Sequence, residues 1–317
     1  MSVLKKIIVV CLVVASVSFG IGAYIFYESG FSLSEFESNV RTIIEQGNIP
    51  WLGRDVISTD FSKTYEFPLA EVDRIRVDTS IGDVTVKPSE GENLVVNISG
   101  QVSEGLRGEP YNAFVQGKTV VIEVLKDVNF SGILSRNEAR IEILLPQSYG
   151  KNLQVNTVSG EVEASGANLN ELRVQSVSGG IDVADSTAAF LRAETVSGAV
   201  NGAGAYRSVV VSTTSGEISL SGISGPTSAK SVSGKITLSM DAIRGENRME
   251  TVSGGIDVRI NGQNDFSYTA STVSGKIRVV KGGVETSGER KLEQVIAGLN
   301  EMYRLSTVSG DISLVQE

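Results

Sequence analysis

Asp182 and Asp257 each stand three residues after the glycine of one recurring motif, and carboxylates repeated on an exposed strand face could do acid–base work on a polysaccharide. They are the candidates for acid–base catalysis because the chain contains no histidine. That absence removes the usual catalytic triads, the His-containing metal sites and the commonest general base at neutral pH. Cys11 is the single cysteine, so disulfides and thiol chemistry are excluded from everything after it. The motif glycines of Asp182 and Asp257 lie four copies apart. At ~4.8 Å per stacked strand this is ~19 Å, beyond the roughly 5–9.5 Å between the carboxyl groups of a glycosidase. A carboxylate-based polysaccharide-processing enzyme is therefore a remote alternative, and the expectation is no catalytic residue, no metal site and no cofactor. Gly179-Gly180 and Gly254-Gly255 lack the strand-to-helix setting of a phosphate loop.

The second set of residues with something to offer is apolar. Val158, Val177, Val196, Val232, Val252, Val273 and Val308 all occupy the second place of the motif Thr-Val-Ser-Gly, with Thr214 as the exception. Unbroken strand alternation turns them outward as a ribbon that a partner could cover, with the preceding hydroxyl residue and the following serine turned inward. A bulge near Thr157 would instead bury the valines. Both orientations are open at this point.

These positions need a scaffold that stacks the copies, and the spacing supplies it. The motif begins at Thr157, Ser176, Thr195, Thr213, Ser231, Thr251, Thr272 and Thr307, and its glycines are separated by 19, 19, 18, 18, 20, 21 and 35 residues. A period near 19 is too short for helical hairpins and suits one coil of an all-β solenoid, a parallel β-helix. Apolar residues alternate on both sides of the glycine, so each coil holds two short strands joined at a tight bend. Stacking puts Ile181, Val200, Ile218, Ile236, Ile256, Ile277 and Ile312 in one interior column, and Val183, Leu220, Leu238, Val258, Val279 and Leu314 in a second.

Ahead of the regular coils over 151–317, residues 64–150 read as an N-terminal β cap with the first coils. The strands there are longer, and Thr79-Ser80-Ile81-Gly82-Asp83-Val84 is a degenerate motif copy. Residues 28–63 read as a short helix over 32–47, capped by Ser34 and Glu37, and a linker. The long last step contains Leu292, Val295, Ile296 and Leu299 at helical spacing, which predicts a helical insertion near 288–299. Residues 7–27 form an apolar run after a short cytoplasmic N-terminus, 1–6, that carries Lys5 and Lys6. Twenty-one residues reach ~31 Å as a helix, enough for a single-pass anchor with the C-terminal solenoid outside the cell. A cleaved signal peptide, with Ser16-Val17-Ser18 near the cut, is the other reading.

The lysine-bearing apolar segment, Tyr65-Glu66-Phe67, Ile81-Gly82-Asp83-Val84, Ile143-Leu144-Leu145-Pro146 and the serial Thr-Val-Ser-Gly-x-Ile coils resemble the bacterial "putative adhesin" family of domains of unknown function. The resemblance covers roughly residues 64–317. It implies a surface-exposed, right-handed parallel β-helix in the cell envelope, with members linked to envelope stress and no catalytic residues.

The net charge of −9 disfavours nucleic acid and broad adhesion to anionic polymers, and Lys276, Arg278 and Lys281 mark the least hostile place for an anion. Two functions remain. One is a membrane-anchored, non-enzymatic module that presents a rigid sheet to an envelope protein or glycan. The other is a structural scaffold or spacer.

Overall fold

The computed structural model describes residues 58–103, 109–125, 138–242 and 244–317. The expected membrane segment 7–27 and the short helix 32–47 lie outside the described residues, among which no helix is long and apolar enough to cross a membrane. Among the described residues, everything regular is strand. Each coil contributes one strand before the glycine bend and one after it, and stacking extends these into two parallel ladders. Ser186–Ser197 and Val200–Tyr206 also pair with each other and join the ladders into one sheet.

The alternation explains the core. Ile181, Val200, Ile218, Ile236, Ile256, Ile277 and Ile312 are all at most 1% exposed, as the first interior column requires. Val183, Leu220, Leu238, Val258, Val279 and Leu314 form the second. Gly202 interrupts that column, and Tyr206 occupies the space: a Cβ on Gly202 or Gly204 would approach the Tyr206 hydroxyl within 3.3 or 2.7 Å. The phenol donates to the Val183 carbonyl.

The motif is held by backbone geometry. A Cβ on each motif glycine from Gly160 onward would lie 1.8–2.2 Å from the carbonyl oxygen of the glycine stacked before it. Any larger residue therefore pushes two coils apart. The first residue of the motif is buried in every copy, and in six of them its hydroxyl donates to a neighbouring glycine carbonyl at 3.0–3.3 Å, as Thr251 does to Gly234 and Thr307 to Gly254. The inward hydroxyl thus satisfies an acceptor that the bend leaves inside. Gly216→Ala is expected to destabilise the protein by at least about 1–3 kcal/mol, since the new methyl group meets the Gly198 carbonyl and not the end of a flexible side chain. Thermal denaturation beside Gly150→Ala, where nothing lies within 4 Å, tests this. Equal midpoints for the two variants would contradict the steric account.

Three sequence expectations are corrected. First, the coils are not stacked in chain order. The late strands Met302–Ser306 and Ile312–Gln316 lie between the coil of Glu246–Glu250 and Ile256–Ile260 and the coil of Ser267–Ser271 and Ile277–Lys281, and pair in parallel with both. The N-terminal end mirrors this. Arg74–Ile81 and Asp83–Ser89 lie between the first regular coil and the later strands Thr119–Val124 and Glu138–Pro146. The degenerate motif at Thr79 therefore stacks directly on the copy at Thr157.

Second, no helix forms over 288–299. Lys291–Gln294 is a strand antiparallel to Ser267–Ser271, and Val284–Gly288 is antiparallel to Ile277–Lys281. The open edge of the outermost coil offers these residues backbone partners, and Gly298 at φ +85° turns the chain away. Of the helical stripe, Leu292 packs against the core while Val295 is 66% exposed. Third, the β cap expected from residue 64 begins at Ser58, inside the expected linker, with a strand that runs to Pro68 antiparallel to Asn93–Ser103. Phe61, Tyr65, Phe67 and Tyr111 close this end, with ring centroids 5.4–6.5 Å apart.

Candidate interaction surface

Four columns of side chains on the first ladder meet the exterior or the bend, and the repeat decides what each contains. The motif valines form one. Val158, Val177, Val196, Val232, Val252 and Val308 are partly exposed, and Val273 is 48% exposed. Of the two orientations open in the sequence, the structure adopts the one with the hydroxyl residue inside and the valine outside. The serine that follows does not turn inward as unbroken alternation required: Ser159 and its seven equivalents are exposed. The bend rotates the chain at that point, so a column of hydroxyls borders the valines. Stacking order also places Val308 between Val252 and Val273 and makes the ribbon continuous from Val158 to Val273, with Thr214 its one polar member.

Two residues before each valine is a polar column that contains Asn156, Gln175, Glu194, Lys230 and Glu250. Four residues before it stand Arg173, Arg192, Arg248 and Arg304. The sequence reading did not single out this basic column, although the shared offset of four from the motif valine was legible. Several of its members are fixed by carboxylates. Arg192 meets Glu194 at 2.7 Å, Arg248 Nε donates to Glu250 at 2.8 Å, and Arg304 Nε donates to Glu246 at 2.8 Å. Glu250 also meets Lys230 at 3.2 Å. Burial opposes ionisation of Glu250, but its bonds to Arg248 and Lys230 outweigh that and hold the carboxyl below its ordinary range.

Over the last three stacked coils these columns enclose a groove of about 430 Å³, lined by Glu246, Arg248, Glu250, Thr269, Ser271, Arg304, Leu305 and Ser306. Its floor is interior packing: Leu305 is 1% exposed, and burial pushes the Tyr303 phenol above its ordinary range. Arg304 neighbours Arg248 solely because the late coil is interleaved.

The carboxylates weighed for catalysis are kept apart. Asp182, Asn201, Ser219, Thr237 and Asp257 occupy one outward column of the second ladder, so four stacking steps separate the two aspartates. Asp182 accepts from the Ala184 amide at 3.1 Å, and Asp257 lies 3.8 Å from Lys235. Glu163 is the direct neighbour of Asp182 in this column. Two of the three cations considered for an anion are engaged elsewhere: Arg278 meets Glu285 at 3.2 Å, and Lys281 donates to the Phe266 carbonyl at 2.7 Å and pairs with Asp265. Among the described residues, no cluster of His, Cys, Asp or Glu side chains could hold a metal ion.

A family model described as Toastrack DUF4097 matches residues 72–315. No curated protein matches the chain. Among solved structures, a "putative cell adhesion protein" from Clostridium sporogenes is 15% identical, with 82% of this chain and 100% of that one covered and a TM-score of 0.33. Proteins described as a "putative adhesin" from Bacteroides fragilis and Parabacteroides merdae are each 14% identical over 81% of this chain. They are covered over 97% and 96% of their own length, with TM-scores of 0.46 and 0.40.

Proposed function

This chain belongs to the Toastrack DUF4097 family, and from that premise we propose that it is a non-enzymatic, membrane-anchored module of the cell envelope that presents its first ladder to a partner outside the cell. The observation that carries this reading is the ribbon of partly exposed valines beside the exposed serines. Eight stacked positions at ~4.8 Å extend over ~34 Å. A soluble surface rarely keeps so long an apolar row without a use for it. The apolar run at residues 7–27 and its preceding lysines support the anchor and the outside orientation. A structural spacer would need the same coils but not a repeated valine at the outward position two residues before the glycine, where threonine serves as well in the coil of Thr214.

Capture by a membrane-impermeant photocrosslinker on intact cells tests the reading. The triple replacement Val177→Thr, Val196→Thr and Val252→Thr keeps β-branched residues on exposed strands and is expected to leave the fold intact. It is expected to abolish capture. Undiminished capture by the triple variant would reduce the ribbon to scaffold.

A further inference from the structure

We propose that the groove over the last three stacked coils is a binding site for a neutral saccharide. This rests on the interaction reading above and identifies the chemistry of its partner at one end of the ribbon. The lining carries two carboxylates, Glu246 and Glu250, and two guanidinium groups, Arg248 and Arg304, arranged as neighbours on adjacent strands. An anion entering it would meet both glutamates, and a cation both arginines. An uncharged ligand that both donates and accepts hydrogen bonds meets no net opposition.

The polar groups are also set in place before any ligand arrives. Each arginine spends its Nε on a glutamate and retains terminal N–H donors, while each glutamate retains acceptor lone pairs. Ser271 and Ser306 are side by side on paired strands, and neither hydroxyl bonds to another described residue. Thr269 adds a third hydroxyl, 3.4 Å from the Glu293 carboxylate. Leu305 supplies the apolar part of the lining, and the same three chain segments continue toward the bend as Val252, Val308 and Val273, so an apolar row lies next to the polar groups. A pyranose has this same division, with hydroxyls around its rim and C–H groups on its faces. The volume of about 430 Å³ falls within the roughly 300–1,000 Å³ of small-molecule sites.

Saturation-transfer NMR on the full-length chain in phospholipid nanodiscs tests the site, with cellobiose, maltose and N,N′-diacetylchitobiose as neutral probes and glucuronate and glucosamine as charged ones. Transfer to at least one neutral disaccharide is expected, exceeding that to either charged sugar. Ser271→Val with Ser306→Val is expected to weaken it at least tenfold, and the corresponding alanine pair should do the same while leaving the circular dichroism spectrum unchanged. Absence of transfer to any of the three neutral probes, a preference for a charged probe, or wild-type binding by both serine pairs would each overturn the proposal. Cell-surface capture through the valine ribbon that persists alongside such a result would leave the broader interaction reading standing.

Discussion

Ile218→Asp is expected to abolish cooperative unfolding of the central coils. The Ile218 side chain is fully buried, paired across the ladder with Val200 on one side and Ile236 on the other. The members of that column are all aliphatic, so none of them supplies a counter-charge. Losing the isoleucine side chain costs about 2–5 kcal/mol, and an unpaired carboxylate in its place adds several more. A natural domain holds only about 5–15 kcal/mol in total. Ser219→Asp, one residue further along the same strand but facing outward, should stay within about 0.5 kcal/mol of wild type. Denaturant unfolding of the pair separates burial from local strand chemistry. Equal midpoints for Ile218→Asp and wild type would refute the interior column.

Removing the late coil is expected to do more damage than removing a middle one. Deletion of residues 180–198 takes out one coil and brings together neighbours built on the same plan, since Val162, Ile181 and Val200 stack in register. Repeats interact mainly with their nearest neighbours, so a shorter, folded protein with a lower thermal midpoint should result. Deletion of Glu301–Glu317 removes a coil that is paired on both sides. It strips Tyr303, Leu305, Ile312 and Leu314 from the core, each worth roughly 1.5–3 kcal/mol of burial, and leaves two parallel edges facing a gap. The strands between Ser267 and Gln294 then lose their attachment to the rest of the stack. Limited proteolysis should cut that region rapidly in the truncated chain and not in the internal deletion. Equal resistance in both would contradict the interleaved order.

The part of this architecture that could be read from residue order is the part that alternation encodes. Side chains of period two say which face is inside, and so Ile218 and Leu238 could be placed without coordinates, whereas alternation across the bend left Thr251 and Val252 open in either orientation. Order in space follows a different rule. Because the copies at Val252, Val273 and Val308 are nearly identical, any of them could stack on any other, and nothing local marks the last as the middle one. The groove depended on that order, since Arg248 and Arg304 are far apart in the chain and adjacent in space. The strand at Lys291–Gln294 was hidden for a related reason. Its Leu292, Val295, Ile296 and Leu299 suit a helix in isolation, and the decision was made by the unpaired edge of Ser267–Ser271 waiting for a partner.

Interleaving also sets a timetable. A chain that emerges residue by residue makes both flanks of the 302–316 coil before the coil itself, so the place between them stays open until these residues follow. Entry of this coil is the insertion of one strand pair with partners on each side. A chain interrupted anywhere earlier keeps raw edges that proteases and other nascent copies can engage. The presence of the 302–316 coil thereby closes a seam that would otherwise stand open along two parallel edges.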